Sequence, residues 1–248
     1  MNLELPKKSK STKAIILGSG VSVFENKNPL ASISYSEIPG WPLGKVKGHK
    51  GVLDIYENIW VLRGRAHLYE GFSWEQACFP TKFLIEHGIT ELIATNSAGG
   101  VNPNFEIGDL MQITGYLDFL KPGKARGNLE SIVKPVVKFE TKLLSDELVH
   151  RNSSEGGTLR MHSGNYIGVH GPNYETDAEI ALFRKLGADA VGMSTIPEIE
   201  TAINAGINII AVSIITNVYG KTEDLGHEGV LDVAKKSSKK LTELLGIS

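Results

Sequence analysis

The chain has 248 residues, of which 41% are hydrophobic, so it is long enough to bury a core without disulfides or metals. Lys and Arg total 26 against 28 Asp and Glu, and this net charge of -2 argues against a generic binder of nucleic acid or anionic membranes. Glycine is in excess, at 27 of 248 residues or 11%, against roughly 7% in average proteins. The excess indicates many places where the backbone turns tightly or approaches a ligand.

Cysteine content and the first residues bear on location. Cys78 is the only cysteine, which excludes an intrachain disulfide and favours a reducing compartment. Residues 1–13 are polar and lysine-rich, unlike a signal peptide, and we expect a flexible N-terminal segment there. No apolar run approaches the roughly 20 residues that cross a bilayer. We therefore expect a cytoplasmic protein with no membrane or nucleic-acid partner, whose residues 1–248 form one domain.

Buried strands are predicted by apolar runs that glycine or polar residues bound. In chain order the runs cover residues 14–17, 52–56, 59–63, 91–95, 110–114, 166–169, 190–193 and 207–215. The second and third runs are separated by only two residues, Glu57 and Asn58, which indicates a hairpin.

Helices are predicted between several of these runs. Three pairs have the capping-box spacing, namely Ser73 with Gln76, Thr176 with Glu179 and Thr195 with Glu198. A further helix is predicted over residues 230–245, where apolar residues recur on one face, and another over roughly residues 138–150. Strands that alternate with helices predict an α/β fold with a central mixed, largely parallel twisted sheet flanked by helices.

Polar and glycine-rich segments follow several of the predicted strands. The first is Leu17-Gly-Ser-Gly20, where backbone N–H groups and the Ser19 hydroxyl suit an oxyanion, although a plain structural turn explains it equally well. A dinucleotide fingerprint is excluded because Val23 stands where its third glycine belongs. Another segment, residues 95–100, ends an apolar run, where open parallel sheets bind ligands; a simple turn would leave its polar residues unexplained.

The segment from Arg63 to Gly71 is a stronger candidate. In an extended chain the alternate residues Arg65, His67 and Tyr69 point to one face, where the guanidinium and the imidazole suit a phosphate and the phenol a sugar. The alternative is a solvated strand edge whose polar residues are unrelated.

Three further segments carry weaker signals. Tyr174 offers a flat ring and Glu175 an acceptor pair for the N–H groups of a heterocycle, although Glu175 also suits a helix N-terminus. Ser194 and Met193 precede a predicted helix and could contact a ligand or only the turn. Asn217 ends the most apolar strand and could donate to and accept from a ring. Neither a metal-binding pattern nor a serine nucleophile elbow is present in the sequence.

The chain resembles the purine nucleoside phosphorylase family, of the trimeric type that acts on inosine and guanosine, from about residue 14 to residue 230. The matching segments occur in family order: Gly18-Ser-Gly20, Gly48-His-Lys-Gly51, Gly64-Arg-Ala-His-Leu-Tyr-Glu-Gly71, Thr95-Asn-Ser-Ala-Gly-Gly100, Gly171-Pro-Asn-Tyr-Glu-Thr176, Lys185-Leu-Gly-Ala-Asp-Ala-Val-Gly-Met-Ser-Thr195 and Ile214-Ile-Thr-Asn217. The resemblance implies the nucleoside phosphorylase fold, a homotrimer, and phosphorolysis of 6-oxopurine nucleosides to free base and (deoxy)ribose 1-phosphate. Such a pentosyltransferase needs no cofactor or metal, since inorganic phosphate is its co-substrate.

The resemblance also implies a role for each matching residue. Phosphate would be bound by Ser19, Arg65, His67, Ser194 and the backbone at Ser97. The ribose would be lined by Tyr69, Met193 and His227, and the purine held by Tyr174, Glu175, Val191 and Asn217. Asn217, Glu175 and His67 are expected to be catalytic, with Asn217 donating toward N7 of the departing base and Glu175 accepting from N1–H.

The sequence departs from the family pattern in its middle. The usual family segments after residue 113 and within residues 131–150 are not found, and the second normally supplies an aromatic residue to the ribose pocket of a neighbouring subunit. The stretch before His227 is also short. Two alternatives stay open: a methylthioadenosine phosphorylase, in which the family carries Asp in place of Asn217, and a non-catalytic nucleoside-binding protein with the same fold.

Overall fold

The computed structural model describes residues 11–25, 27–121, 136–142, 160–221 and 226–246. The strands in these ranges are β1 (Lys13–Ile16), β2 (Ala31–Ser34), β3 (Val52–Ile55), β4 (Trp60–Leu62), β5 (Glu91–Gly100), β6 (Leu110–Phe119), β7 (Val137–Lys138), β8 (Met161–Val169), β9 (Ala190–Gly192) and β10 (Asn208–Val218). The helices are α1 (Trp74–Glu86), α2 (Asp177–Lys185), α3 (Ile196–Asn204) and α4 (Gly226–Leu245), with 3-10 turns at Tyr35–Glu37 and Leu68–Glu70.

The described strands form one mixed sheet in the order β10-β6-β8-β9-β5-β1-β4-β3-β2, with β7 paired to β6. Because β10 also pairs with β5, five of these strands close into a barrel-like ring. The pairs of β5 with β1 and with β10 are parallel, whereas β9 pairs antiparallel with β5. The predicted α/β fold with a mixed sheet flanked by helices is confirmed, and the closure into a ring is an addition to it.

Local signals in the sequence explain several elements. The predicted hairpin forms, with Leu53 opposite Leu62 in antiparallel β3 and β4. Ser73 caps α1 and Thr176 caps α2, each in a reciprocal capping box with the residue three positions later. Among the described residues no helix is both long and apolar enough to span a membrane.

Within the described ranges the core has three apolar clusters, because helices cover both faces of the sheet. The largest contains Trp60 and Tyr166 and packs against α1 and α3. A second, with Ile15 and Leu241, lies under α4, and the third packs around Phe183 of α2. The helices thereby fix the strands whose ends carry the polar segments noted above.

The strand ends differ from the prediction at β5. Residues 96–100 were predicted to follow the strand, but β5 continues through Gly100. Two neighbours extend it: Asn217 of β10 is the parallel partner of Gly99, and Val191 of β9 is its antiparallel partner. These backbone pairings hold the polar residues of the segment in a regular strand. Successive side chains therefore point to opposite faces of the sheet.

The predicted helix over residues 138–150 is wrong in its described part. Lys138 belongs to β7, where it pairs with Gly115 of β6, and residues 139–142 form no helix. The pairing with β6 therefore overrides the local helical pattern. Residues 143–150 lie outside the described residues, as do residues 1–10, and β1 begins at Lys13.

Candidate active site

One cavity lies at the ends of β1, β5, β9 and β10, on the edge where parallel strands present their carboxyl ends. Eleven of the twelve residues predicted at the ligand line it: Ser19, Arg65, His67, Tyr69, Ser97, Tyr174, Glu175, Val191, Met193, Ser194 and Asn217. The twelfth, His227, belongs to α4, and its side chain is outside the described residues. Residues from distant parts of the chain thus share one cleft.

Arg65 is the buried cation of this cavity, with 5% of its surface exposed. One terminal nitrogen, Nη1, donates to the hydroxyls of Ser194 and Thr195, at 2.9 Å in both cases, and Nη2 donates to the Thr95 carbonyl at 2.7 Å. The Nε atom lies 3.0 Å from a carboxylate oxygen of Glu198, in an ion pair without an aligned hydrogen bond. The guanidinium is therefore fixed in one orientation, and Ser194, to which it donates, lines the cavity beside it.

The predicted capping box of α3 is wrong. Thr195 has a φ of +73° and makes no side-chain cap, and its hydroxyl instead accepts from Arg65 and, at 2.9 Å, from the Asn96 amide. Glu198, the other half of the expected box, pairs with Arg65. A left-handed conformation at a non-glycine residue costs on the order of 1–3 kcal/mol and concentrates at functional sites. Both side chains therefore serve the buried arginine rather than the helix end.

Three aromatic rings form a stack, and two of them, His67 and Tyr69, line the cavity. The His67 ring stacks on both of the others. Its centroid lies 4.8 Å from that of Tyr69 and 5.3 Å from that of His49. The chain is extended at His67 but not beyond it, because Leu68–Glu70 form a 3-10 turn. Arg65, His67 and Tyr69 nevertheless line the same cavity, because the turn stacks the Tyr69 ring on the His67 imidazole.

His49 is a site residue to which the sequence interpretation gave no role. Its Nδ1 accepts the Arg65 backbone N–H at 3.3 Å, which leaves the ring proton on Nε2, 3.2 Å from the Ser19 hydroxyl oxygen. Burial, with the neighbouring His67 and Arg65, lowers the pKa of His49 to about 3, so the ring is neutral near pH 7. Because Nε2–H donates to Ser19, the hydroxyl hydrogen of Ser19 is free to point at an anion.

The signal that could have identified His49 is its setting between Gly48 and Gly51 in one of the matching segments. Gly64, on the arginine segment, explains the close fit: a Cβ there would lie 2.7 Å from the Cβ of His49. The two loops can touch only because that side chain is absent.

His67 is oriented by Glu70, one turn away. The carboxylate lies 3.3 Å from His67 Nδ1 and accepts the backbone N–H groups of His67 and Lys45. Partial burial acts to raise the pKa of Glu70, but these hydrogen bonds outweigh it and hold the pKa below its ordinary value. An ionised Glu70 keeps the proton of His67 on Nδ1 and leaves Nε2 for a ligand.

The loop that carries Ser19 is fixed against β5. The Ser97 hydroxyl donates to the Ser19 carbonyl at 2.9 Å, and the Gly18 N–H donates to Thr95 at 3.1 Å. A Cβ on Gly18 would lie 2.7 Å from the Asn96 Cα, so the close approach requires glycine. The side chain of Ser97 is thus a support for the loop, and the contact of its backbone with phosphate stays a prediction.

Amide, carboxylate and aromatic groups form the other part of the cavity lining. The side-chain oxygen of Asn217 accepts from Thr216 at 3.3 Å, which leaves its NH₂ group to donate. Glu175 accepts a hydrogen bond of 2.5 Å from Tyr219, a residue absent from the predicted site. Tyr174 is half exposed and Val191 is buried. Donor, acceptor and apolar surfaces together suit a flat heterocycle.

Comparisons with known proteins agree with this architecture. The family model of the phosphorylase superfamily matches residues 12–247. Purine nucleoside phosphorylase 1 of Bacillus subtilis is 36% identical over 232 residues, which are 90% of this chain and 85% of that protein, and the Bos taurus purine nucleoside phosphorylase is 36% identical over 250 residues, 94% and 86%. The crystal structure of a Schistosoma purine nucleoside phosphorylase in complex with hypoxanthine superposes with a TM-score of 0.73 at 28% identity, covering 95% of this chain and 89% of that one.

These matches span nearly the whole chain, including every strand that borders the cavity. No cluster of three or more His, Cys, Asp or Glu side chains that could hold a metal ion occurs in the described ranges. The chain belongs to the phosphorylase superfamily and, within it, to the purine nucleoside phosphorylases, enzymes that transfer a pentosyl group.

Proposed function

We propose that the enzyme cleaves 6-oxopurine nucleosides, inosine and guanosine and their deoxy counterparts, with inorganic phosphate. A phosphate oxygen forms a bond to C1′ of the pentose while the bond from C1′ to N9 breaks, and its electron pair passes to the purine. The purine anion takes up the proton that the phosphate group gives up, directly or through water, so the products are the free base and (deoxy)ribose 1-phosphate. No protein nucleophile is required, because positioning and stabilisation of charge supply the catalysis.

Phosphate is assigned to the part of the cavity around Arg65. The Ser194 hydroxyl bonded to Arg65 and the Ser19 hydroxyl freed by His49 can donate to an oxyanion, and Nε2 of His67 can accept from the P–OH group of a hydrogen phosphate. The backbone at Ser97 completes this set. Because the guanidinium is already hydrogen-bonded to the protein, its positive charge is in place before phosphate binds, and the site needs no rearrangement during the reaction.

The purine is assigned to the part around Glu175, Asn217, Tyr174 and Val191, and the pentose to Tyr69 and Met193, with His227 as the third ribose residue. The departing base gains negative charge, and the Asn217 NH₂ group donating toward N7 stabilises charge that develops only in the transition state. Glu175 accepts from N1–H of a 6-oxopurine, a donor that adenosine lacks. His67, Glu175 and Asn217 are therefore the proposed catalytic residues.

The observation that carries this proposal is that a buried arginine with two hydroxyls and an amide–carboxylate pair line the same cavity. A non-catalytic nucleoside-binding protein would need only the amide–carboxylate pair, and not the buried arginine with its two hydroxyls. Methylthioadenosine phosphorolysis is disfavoured by Asn217, since Asp suits a 6-amino purine. The co-substrate phosphate is the proposed partner alongside the nucleoside, with no cofactor, and the homotrimer and the cytoplasmic location remain predictions.

The test is a base-release assay with inosine, guanosine, adenosine and methylthioadenosine, each with and without phosphate. We expect release from inosine or guanosine only when phosphate is present. Faster release from methylthioadenosine would support the first alternative, and binding of nucleosides without release of any base would support the second. Light scattering on the same preparation measures the mass expected of a trimer.

A further inference from the structure

The phenol of Tyr219 occupies one of the two carboxylate oxygens of Glu175. The hydroxyl donates to Oε2 at 2.5 Å, and burial together with this hydrogen bond raises the pKa of Tyr219 well above its ordinary value. The phenol therefore stays protonated at neutral pH and is the donor. Within the described ranges, no other side chain or backbone group forms a hydrogen bond to the Glu175 carboxylate.

The backbone and ring of Tyr219 are both held in place. The residue follows β10, where its N–H donates to the Gly100 carbonyl at 3.1 Å and its own carbonyl accepts from Arg184 at 3.2 Å. Two residues after Asn217, its side chain points to the same side of the strand, into the cavity. A Cβ on Gly99 would lie 3.0 Å from the ring, so the ring lies directly on that glycine.

This arrangement bears on which base the carboxylate accepts. Hypoxanthine presents one donor on the relevant edge, N1–H, whereas guanine presents N1–H and the 2-amino N–H side by side. Two parallel donors are best received by two free carboxylate oxygens. With Oε2 engaged by the phenol, Oε1 remains for N1–H, and the 2-amino group meets an oxygen that is already bonded and the phenol beside it.

We propose that Tyr219 is a specificity-determining residue that makes the base site prefer hypoxanthine to guanine, and hence inosine to guanosine. The inference rests on the proposed function of Glu175 as the acceptor of purine N1–H. Guanine would either leave its 2-amino N–H without a good acceptor in the site or displace the hydrogen bond from the Tyr219 phenol to Glu175. Either cost reduces kcat/KM by roughly tenfold or more.

The test compares kcat/KM for inosine and guanosine, at saturating phosphate, in the wild-type enzyme and in Tyr219→Phe. The wild type is expected to favour inosine by about tenfold or more, and the variant, which keeps the ring on Gly99, to move the ratio toward guanosine by a similar factor. Tyr116→Phe is the matched control, because its phenol also donates to a carboxylate, that of Glu200 at 3.3 Å, outside the cavity lining. Its ratio should equal that of the wild type.

A wild-type enzyme that uses guanosine as well as inosine overturns the proposal, as does an unchanged ratio in Tyr219→Phe. Calorimetric titration with hypoxanthine and with guanine separates this inference from the reaction itself. A preference for hypoxanthine that Tyr219→Phe abolishes supports the role of Tyr219 even if no nucleoside is cleaved. Cleavage with no discrimination between the bases would instead retain the proposed function and reject the role of Tyr219. If the variant does not fold, the wild-type affinities for the two bases decide.

Discussion

Arg65 and Glu198 form a buried ion pair at the phosphate end of the cavity, with Nε and Oε1 3.0 Å apart and side-chain exposures of 2% and 4%. The carboxylate approaches the guanidinium through Nε, whereas the terminal nitrogens bond to Ser194, Thr195 and Thr95. Glu198 thus neutralises the arginine when no anion is bound and fixes its orientation. A buried pair of this kind is costly to break because the remaining charge has no partner.

Replacing Glu198 tests this relationship. Glu198→Gln keeps the shape but removes the charge, and we expect the free energy of unfolding to fall by about 3–5 kcal/mol. Because bound phosphate supplies a compensating negative charge, phosphate should stabilise the variant more than it stabilises the wild type. Urea unfolding with and without phosphate measures both quantities.

The control is Glu200→Gln, in the same helix. Glu200 pairs with the partly exposed Lys121, so its loss should cost less, about 1 kcal/mol or below, and leave the effect of phosphate as in the wild type. Equal phosphate effects in Glu198→Gln and the wild type would show that Glu198 does not compensate the arginine.

Ser194→Ala tests the anion site itself. The change removes a cavity-lining hydroxyl that accepts from Arg65 Nη1, while Thr195 still accepts from that nitrogen. We expect KM for phosphate to rise roughly tenfold through the loss of one charge-assisted hydrogen bond, with a smaller change in KM for the nucleoside. Initial rates over a range of phosphate concentrations give both constants.

Ser213→Ala is the matched control for that measurement. Ser213 lies in β10, is fully buried, and its hydroxyl has no hydrogen-bond partner among the described residues. Its replacement should leave both KM values unchanged. A rise in KM for phosphate of equal size in both variants would point to a general effect of core serines and against the anion site.

Asn217→Asp is expected to change which purine is used. The Asn217 oxygen is bonded by Thr216, so the NH₂ group is the part available to the base. An aspartate would replace this donor with an acceptor, which suits a 6-amino purine and removes stabilisation of charge at N7. The kcat/KM for adenosine relative to inosine should therefore rise, and an unchanged ranking would contradict the assignment. Asn204→Asp, at an exposed position of α3, is the control.

The low pKa of the buried His49 predicts that the free energy of unfolding falls as the pH is lowered. Its pKa is lowered to about 3 in the folded protein, chiefly by burial, against 6.5 as the ordinary value. The unfolded chain therefore binds more protons between these pH values, and the contribution of His49 is fully present above about pH 6.5 and is lost as the pH falls toward 3. One proton limits this slope to about 1.4 kcal/mol per pH unit.

Thermal or urea unfolding between pH 7.5 and 4 measures the slope. We expect His49→Asn to lose less stability over this range than the wild type, since it has no imidazole to protonate on unfolding. Parallel slopes in the two proteins would show that His49 does not remain neutral in the folded state.

Much of the fold and of the cavity was predictable because the relevant interactions are local. The capping boxes at Ser73 and Thr176 and the hairpin of β3 and β4 depend on residues a few positions apart. Polar residues directly after apolar runs, such as Ser19 and Asn217, indicated a shared cleft because the ends of parallel strands meet at one edge of a sheet. These patterns together with the family resemblance could thus name eleven residues that line the cavity.

What the tertiary structure decided involves partners far apart along the chain. Thr195 and Glu198 have the spacing of a capping box, yet both serve Arg65, because neutralising a buried guanidinium outweighs one helix cap. His49 reaches Ser19 only because Gly64 leaves room for its ring.

The glycines likewise fall into two groups, one set by local structure and the other by tertiary packing. Gly88 and Gly187, with φ values of +90° and +85°, follow the ends of α1 and α2, where a helix commonly ends in a left-handed glycine. Gly18 and Gly99 are glycine for another reason: backbone or side chains from distant strands pack against them. Composition reveals that such contacts are numerous, but only the packed sheet determines that Tyr219 lies on Gly99 and thereby bonds Glu175, since that contact joins residues far apart in the chain.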